Sequence, residues 1–351
     1  MPIYSSIDAS KESERRIVEG LLRLKEAFEK VEIPERNLSG TLLLATWNIR
    51  EFDSTKYGAR GREPIFYIAE IVDRFDLVAV QEVREDLTAL NELMDYLGEW
   101  WKYVLTDVTE GTQGNRERMA FLYDSRKIRF GGLAGEVVIP TVRKLEPAKQ
   151  LARTPFIVGL QPGSFKFTIC TTHILYGKAT AEDPNRLEEI RGLAEFLADR
   201  AKERYAWSKN MILLGDFNIF DTSDQTLEAI IHAGFTVPKQ LQKLPSNAPQ
   251  TKHYDQIAFI APEVQDQLEL SRSGVFNFYD YVYRKEDEAL YAEDMGKAYT
   301  ETKEGKKRDE RARTTYYNTW RTFQMSDHLP MRIELKIDFG KQDLERMLER
   351  S

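Results

Sequence analysis

The chain has 351 residues, of which 42% are hydrophobic and 30% are charged, as in proteins that fold around a sizeable apolar core. The formal net charge of −7 argues against an indiscriminate polyanion binder, which is usually basic, but leaves room for clustered carboxylates at a metal site. The single cysteine, Cys170, excludes an internal disulfide and lies in an apolar run, where we expect it to be buried.

The N-terminal residues are polar and lack the apolar stretch of a secretory signal, so a cytoplasmic protein is expected. A helix is predicted over 12–31, where apolar residues recur at spacings of three and four. Short apolar runs that end in polar residues then predict buried strands at 42–48, 77–83, 119–123, 156–160, 165–173, 211–215, 256–260 and 331–337. Helices are predicted at 67–75, 87–97 and 186–205. Because strands outnumber helices, the pattern favours two sheets packed face to face with helices outside.

The least regular stretch is 264–321, which contains two dense runs of charged residues. Its tyrosines, together with Phe276 and Phe278, argue against complete disorder. We expect an inserted, partly mobile loop whose charges form a solvated face.

Six motifs with polar or charged residues occur where predicted strands end or begin. They are Trp47-Asn48-Ile49-Arg50, Gln81-Glu82-Val83-Arg84, Thr172-His173, Gly215-Asp216-Phe217-Asn218, Tyr254-Asp255-Gln256-Ile257 and Ser326-Asp327-His328-Leu329-Pro330. Each alone is a weak signal, because buried strands commonly end in a polar residue. Functional side chains favour strand ends and the loops that follow, so the six together indicate a site.

These residue types are the ones that metal-assisted phosphodiester hydrolysis requires. Glu82, Asp327 and Asn48 offer the carboxylate and amide oxygens that a hard cation such as Mg²⁺ prefers. Histidine is the usual base near neutral pH, and it needs a carboxylate partner, for which both Asp255 and Glu117 are candidates. A second histidine, Asn218, Arg153 and the cation would stabilise the charge that develops on the phosphate.

Other chemistries find little support in the sequence. Four histidines and one cysteine scattered along the chain do not form a zinc motif. A G-x-S-x-G elbow and the glycine patterns of nucleotide-binding loops are also missing.

At these motifs the sequence resembles the endonuclease/exonuclease/phosphatase superfamily, and within it the deoxyribonuclease-I-like branch. The similarity runs in order from about residue 41 to residue 337. It implies a four-layered α/β sandwich of two mainly antiparallel sheets flanked by helices. It also implies an N-terminal helical extension (1–40), a catalytic domain (41–340, with the insertion at about 264–321) and a C-terminal tail (341–351).

The resemblance implies a role for each matched residue. Glu82, Asn48 and Asp327 match the metal site, and His173 and His328 match the paired general acid and base. Glu117 matches the carboxylate that orients the first histidine, and Asp255 the one that orients the second. The residues expected to position water and phosphate or to contact the substrate backbone are Asp216, Asn218, Arg50, Arg84 and Arg153.

The expected function is therefore an Mg²⁺- or Mn²⁺-dependent nuclease, with DNA as the leading substrate. The alternatives are another phosphoesterase of the same fold, acting on RNA, a phospholipid or a phosphomonoester, and a non-catalytic binding module. Asn115 stands where the deoxyribonuclease I branch places a tyrosine against the substrate sugar, which weakens the expectation of duplex binding.

Overall fold

The structure is a computed structural model that describes residues 2–31, 33–53, 56, 60–110, 114–140, 150–262 and 272–349. Its helices are α1 (Glu12–Lys30), α2 (Arg62–Val72), α3 (Thr88–Leu97), α4 (Pro184–Lys202), α5 (Gln225–His232), α6 (Ala292–Met295), α7 (Lys297–Thr300), α8 (Glu310–Gln324) and α9 (Gly340–Glu349). Its strands are β1 (Thr41–Phe52), β2 (Leu77–Arg84), β3 (Trp101–Leu105), β4 (Glu117–Asp124), β5 (Ile128–Glu136), β6 (Phe156–Pro162), β7 (Phe167–His173), β8 (Met211–Asp216), β9 (Asp255–Ile260), β10 (Ser273–Val275) and β11 (Met331–Lys336). None of the described helices is long and apolar enough to cross a membrane.

The strands form two sheets. The larger has six strands in the order β10-β11-β1-β2-β4-β3, and the smaller has five in the order β5-β6-β7-β8-β9. The pairs β1–β2 and β7–β8 are parallel, and the remaining neighbours are antiparallel. The expectation of two mainly antiparallel sheets is confirmed.

Three apolar cores hold the layers together. The core between the sheets joins residues such as Leu44 of β1 and Ile169 of β7, both fully buried. A second core lies under α1, α2 and α3 on the outer face of the larger sheet, and a third lies under α4 and α5 on the smaller one. Cys170 belongs to this third core, as expected, and burial raises the pKa of its thiol. The order helix, sheet, sheet, helix is the predicted four-layered sandwich.

A buried amide also links the two sheets. The Nε2 atom of Gln81 in β2 donates to the hydroxyl of Thr171 in β7 at 2.8 Å and to that of Thr46 in β1 at 3.1 Å. All three side chains are fully buried. Because an unpaired buried amide is costly, this bridge favours one alignment of the sheets.

The prediction of an irregular loop is wrong for the described residues 272–321, and residues 264–271 lie outside the described ones. The segment forms β10, α6, α7 and most of α8, and its aromatic side chains join the core of the larger sheet. The Tyr291 ring lies 4.5 Å from that of Tyr283 and 5.5 Å from that of Trp320. The sequence did not reveal this cluster, because its rings are spread over separate short elements and charged residues lie between them.

Helix α2 begins five residues earlier than predicted, because Pro64 is tolerated in the first turn of a helix. The sequence pattern did not predict β3, β5, β10, α5 or α9. In β5 the glycines at 131, 132 and 135 weaken the strand signal.

Candidate active site

The ends of strands from both sheets border one cleft. His173, Asp216 and Asp255 lie side by side across β7, β8 and β9, because they are register partners there. The cleft has a volume of about 660 Å³. Its lining comprises Arg50, Glu51, Glu82, Arg84, Asn115, Arg116, Glu117, Arg153, His173, Tyr176, Asp216, Asn218, Tyr254, Asp327 and His328. Of the predicted site residues, Asn48 and Asp255 lie directly behind this lining and are hydrogen-bonded to it.

Unusual backbone conformations shape the cleft wall. Glu82 has φ of 63° inside an irregularity of β2, and Asn218 has φ of 53°. Left-handed conformations are disfavoured for residues other than glycine, and they concentrate at functional sites. Gly215 has φ of 134°, and a Cβ there would lie 2.1 Å from the carbonyl oxygen of Thr172, so this position requires glycine.

Glu82, Asn48 and Asp216 form a buried cluster of oxygen ligands. The Nδ2 atom of Asn48 donates to Glu82 Oε1 at 2.9 Å and to Asp216 Oδ2 at 3.0 Å. These two bonds fix the amide orientation, and its Oδ1 atom is left buried with no hydrogen-bond partner among the described residues. A buried amide oxygen without a partner is a suitable ligand for a hard divalent cation, and so are the carboxylates that the amide nitrogen contacts.

Asp327 lies at the open side of this cluster, with Arg50 Nε 3.4 Å from its Oδ2 atom. Burial raises the pKa of Glu82. His173 opposes that rise, whereas the carboxylates of Glu117 and Asp327 add to it. The crowded negative charge would be relieved by a bound cation, so the residues fit the expected Mg²⁺ or Mn²⁺.

His173 is held by a carboxylate that also binds arginine. Its Nδ1 atom lies 3.0 Å from Glu117 Oε2, and Arg153 Nε donates to the same oxygen at 2.8 Å. Arg84 approaches Glu117 Oε1 at 3.7 Å. Burial acts to raise the pKa of Glu117, but His173 and Arg153 outweigh it and lower that pKa to about 2.

His328 is held by a carboxylate without an arginine partner among the described residues. Its Nδ1 atom lies 2.8 Å from Asp255 Oδ2. The other carboxylate oxygen, Asp255 Oδ1, is buried and has no hydrogen-bond partner among the residues that the structure describes. Burial raises the pKa of Asp255. Burial acts to lower the pKa of His328, yet the charges of Asp255 and Asp216 raise it well above the usual value.

The two histidines converge on Asp216. Their Nε2 atoms lie 3.5 Å and 3.6 Å from its Oδ2 atom. Glu82, Glu117 and His173, and likewise Asp216, Asp255 and His328, have ligand atoms within 4.8 Å of one another, close enough for a metal ion. Because each Nδ1 atom is hydrogen-bonded to a carboxylate, we interpret both groups as histidine–carboxylate pairs that present Nε2 to the cleft.

The predicted arginines all line the cleft. Arg50 donates to the Thr322 hydroxyl at 2.5 Å, and its guanidinium lies 3.9 Å from the ring centre of Phe323, so α8 fixes its position. Asn115 is exposed at the cleft. Trp47 and Phe217 are fully buried, as expected for core residues.

Two supporting residues were missed by the sequence analysis. The buried Ser326 hydroxyl donates to the Asn48 carbonyl at 2.6 Å and accepts from the backbone N–H groups of Arg50 and His328. It stands in a motif that had been noted, but serine carried no distinctive signal there. The buried Arg186 donates to the Asn218 carbonyl at 3.0 Å, and nothing in its surrounding sequence indicates that contact.

Comparison with protein families gives a match over most of the chain. A model of the family described as "Endonuclease/Exonuclease/phosphatase family" matches residues 45–328. That range contains every residue of the cleft lining.

Two curated relatives are similar in sequence. A deoxyribonuclease of Thioalkalivibrio sp. (strain K90mix) is 31% identical over 183 residues, which are 51% of this chain and 46% of that protein. Deoxyribonuclease-1 of Oryctolagus cuniculus is 27% identical over 260 residues, which are 69% of this chain and 85% of the rabbit protein. The chain therefore spans less than half of the first relative and most of the second.

A solved structure supports the fold. An endonuclease/exonuclease/phosphatase family protein of Bacteroides thetaiotaomicron superposes with a TM-score of 0.55 at 17% identity. The match covers 86% of this chain and 99% of that one. At this identity the similarity is evidence for the fold alone.

Proposed function

Because the chain belongs to the endonuclease/exonuclease/phosphatase family, we propose that it is a divalent-metal-dependent nuclease that hydrolyses DNA. The observation that carries this proposal is the convergence of two carboxylate-held histidines on one point of a cleft. Their Nε2 atoms lie 3.5 Å and 3.6 Å from Asp216 Oδ2, beside the oxygen cluster of Asn48 and Glu82. A site with two proton carriers next to a cation position is what hydrolysis of a phosphodiester requires.

Glu82, Asn48 and Asp327 would hold the cation, Mg²⁺ or Mn²⁺. When bound, such a cation supplies charge stabilisation for the phosphate and makes a nearby water more acidic. Asn48 contributes its unpartnered Oδ1 atom, and its two donated hydrogen bonds keep Glu82 and Asp216 in place. Ser326 in turn fixes the carbonyl of Asn48.

His328 acts as the base for the attacking water in this proposal, and His173 protonates the leaving oxygen. Asp255 holds the Nδ1–H of His328, so Nε2 is the atom free to take a proton. The raised pKa of His328 reflects the charges that would stabilise its imidazolium form. Glu117 orients His173 in the same way.

Asp216 and Asn218 position water and phosphate between the histidines. Asp216 Oδ1 accepts from the backbone N–H of Asn218 at 2.9 Å, and the Asn218 amide donates to the Ile174 carbonyl at 2.8 Å. Arg50, Arg84 and Arg153 are proposed to contact the phosphate backbone, a task suited to the guanidinium fork. The names of the two curated relatives support DNA as the substrate.

The test is degradation of plasmid DNA by the purified full chain with Mg²⁺ or Mn²⁺. Activity should disappear with EDTA and return when the cation is restored. A parallel panel of RNA, a phospholipid and a phosphomonoester identifies the alternative substrates. Intact plasmid together with turnover of another phosphoester would overturn the DNA assignment and leave the metal chemistry standing. No turnover of any phosphoester with either cation would favour a binding module.

A further inference from the structure

Tyr176 is a cleft residue to which the hydrolysis described above assigns no role. Tyr176 lines the cleft and is 42% exposed, although tyrosine usually buries most of its ring. The other aromatic residue of the lining, Tyr254, is half-buried. Asn115, which stands where the deoxyribonuclease I branch places a tyrosine, offers no ring.

The ring of Tyr176 packs with two other aromatic rings. The ring centroid of Phe220 lies 5.5 Å from that of Tyr176, and the centroid of Tyr254 lies 6.4 Å away in an edge-on arrangement. Tyr254 reaches the site itself, since its ring centroid is 5.4 Å from that of His328. The aromatic cluster Tyr176–Phe220–Tyr254 therefore extends from the proposed base to the exposed ring of Tyr176.

The backbone that carries Tyr176 is also fixed. Arg186 Nη1 donates to the Tyr176 carbonyl at 3.2 Å and to the Asn218 carbonyl at 3.0 Å, so one buried guanidinium ties both loops together. The N–H of Leu175 donates to Glu189 Oε2 at 3.0 Å. A ring held on such a support loses little freedom on binding, and this favours affinity.

We propose that Tyr176 is the stacking platform for a nucleobase of the substrate, next to the phosphate that is cut. The inference rests on the proposed function and adds the feature that the bound base is unpaired. Base–aromatic stacking needs an accessible face of the base, and a single strand offers this far more readily than a continuous duplex. The site is thus suited to single-stranded or locally opened DNA.

The experiment compares a thymidine trinucleotide with the same sugar–phosphate backbone built from abasic tetrahydrofuran residues. The Tyr176→Ala variant should raise KM for the trinucleotide about tenfold and leave KM for the abasic backbone unchanged. Tyr176→Phe should keep the wild-type KM, because its ring stacks equally. Tyr205→Ala, which removes an 87% exposed tyrosine outside the cleft, is the matched control.

A binding measurement separates this inference from the proposed function. A phosphorothioate oligonucleotide with one 2-aminopurine should lose fluorescence on binding to the wild-type protein and to Tyr176→Phe, but far less with Tyr176→Ala. This quenching pattern in a protein that hydrolyses neither plasmid DNA nor the thymidine trinucleotide would overturn the nuclease function and keep the platform. An unchanged trinucleotide preference and unchanged quenching in Tyr176→Ala would overturn the platform. An equal KM increase on both substrates would show a general distortion of the cleft and also reject it.

Discussion

Glu117 and Asp255 each hold the Nδ1 atom of a histidine, at 3.0 Å and 2.8 Å, but their surroundings differ. Glu117 shares its charge with Arg153 and has a pKa lowered to about 2. Asp255 is fully buried without an arginine among the described residues, and its pKa is raised. The same pair is thus built twice, in opposite electrostatic settings.

This difference supports the proposal that the two histidines take different roles. Burial acts to lower the pKa of His328, but the charges of Asp255 and Asp216 outweigh it and raise that pKa. Glu117 Oε2 is shared between His173 and Arg153, whereas Asp255 has no arginine partner among the described residues. Environments that separate two chemically equal groups are a common way to assign acid and base in one site.

The largest expected effect comes from removing either ring. His328→Ala and His173→Ala should each lower kcat on DNA by about 10³-fold, whereas His232→Ala, on the exposed end of α5, should not. Bis(p-nitrophenyl) phosphate separates the two roles, because its leaving group departs without protonation. His173→Ala should recover most of its activity on this ester, and His328→Ala should not. The opposite pattern would exchange the two assignments.

Smaller changes at the carboxylates should move the pH dependence. A base must be neutral, and Asp255 raises the pKa of His328, so the acid limb of kcat/KM lies at higher pH than for an ordinary histidine. Asp255→Asn should shift that limb to lower pH and reduce the maximal rate by about 10² to 10⁴. Glu117→Gln should leave the limb in place. If the acid limb shifted in Glu117→Gln and not in Asp255→Asn, the proposed difference between the two histidine–carboxylate pairs would be wrong.

The smallest effect concerns stability in acid. Because folding lowers the pKa of Glu117 from 4.5 to about 2, its contribution is present above pH 4.5 and is lost as the pH falls through about 2. Urea unfolding in EDTA should show a wild-type advantage over Glu117→Gln that shrinks by about 1 to 3 kcal/mol between pH 6 and pH 2. Asp255→Asn should show no such loss, since the pKa of that carboxyl is raised. If the difference in unfolding free energy between the wild type and Glu117→Gln did not change with pH, the lowered pKa of Glu117 would be contradicted.

Much of the site could be predicted because its signals are local. Four motifs place a polar residue at the end of a predicted apolar strand and two place one just before a strand, and in the structure these positions from both sheets border one cleft. The chemistry of the residues alone did not decide which carboxylate serves which histidine. That choice depends on the geometry between β4 and β7 for Glu117, and between Asp255 and a loop for His328.

The segment 272–321 shows where such signals fail. In α8 the buried residues Tyr317 and Trp320 have helical spacing, but threonines, arginines and an asparagine surround them. Their partners Tyr283 and Tyr291 lie in other short elements, so the cluster exists only in three dimensions. The exposure of Tyr176 in the cleft likewise could not be predicted, because it depends on neighbours such as Phe220 that are distant in sequence.

The buried hydrogen bonds from Gln81 to Thr46 and Thr171 limit how far the two sheets can shift relative to each other. A hydrogen bond adds a narrow constraint to the packing of the sheets, since its donor–acceptor distance is confined to a range of about half an ångström. Asn48 and Glu82 come from the larger sheet, and His173 and Asp216 from the smaller. Gln81 directly precedes Glu82, and Thr171 lies two residues before His173. The bridge therefore favours one relative position of the two sheets, and with it one relative position of the two halves of the candidate active site.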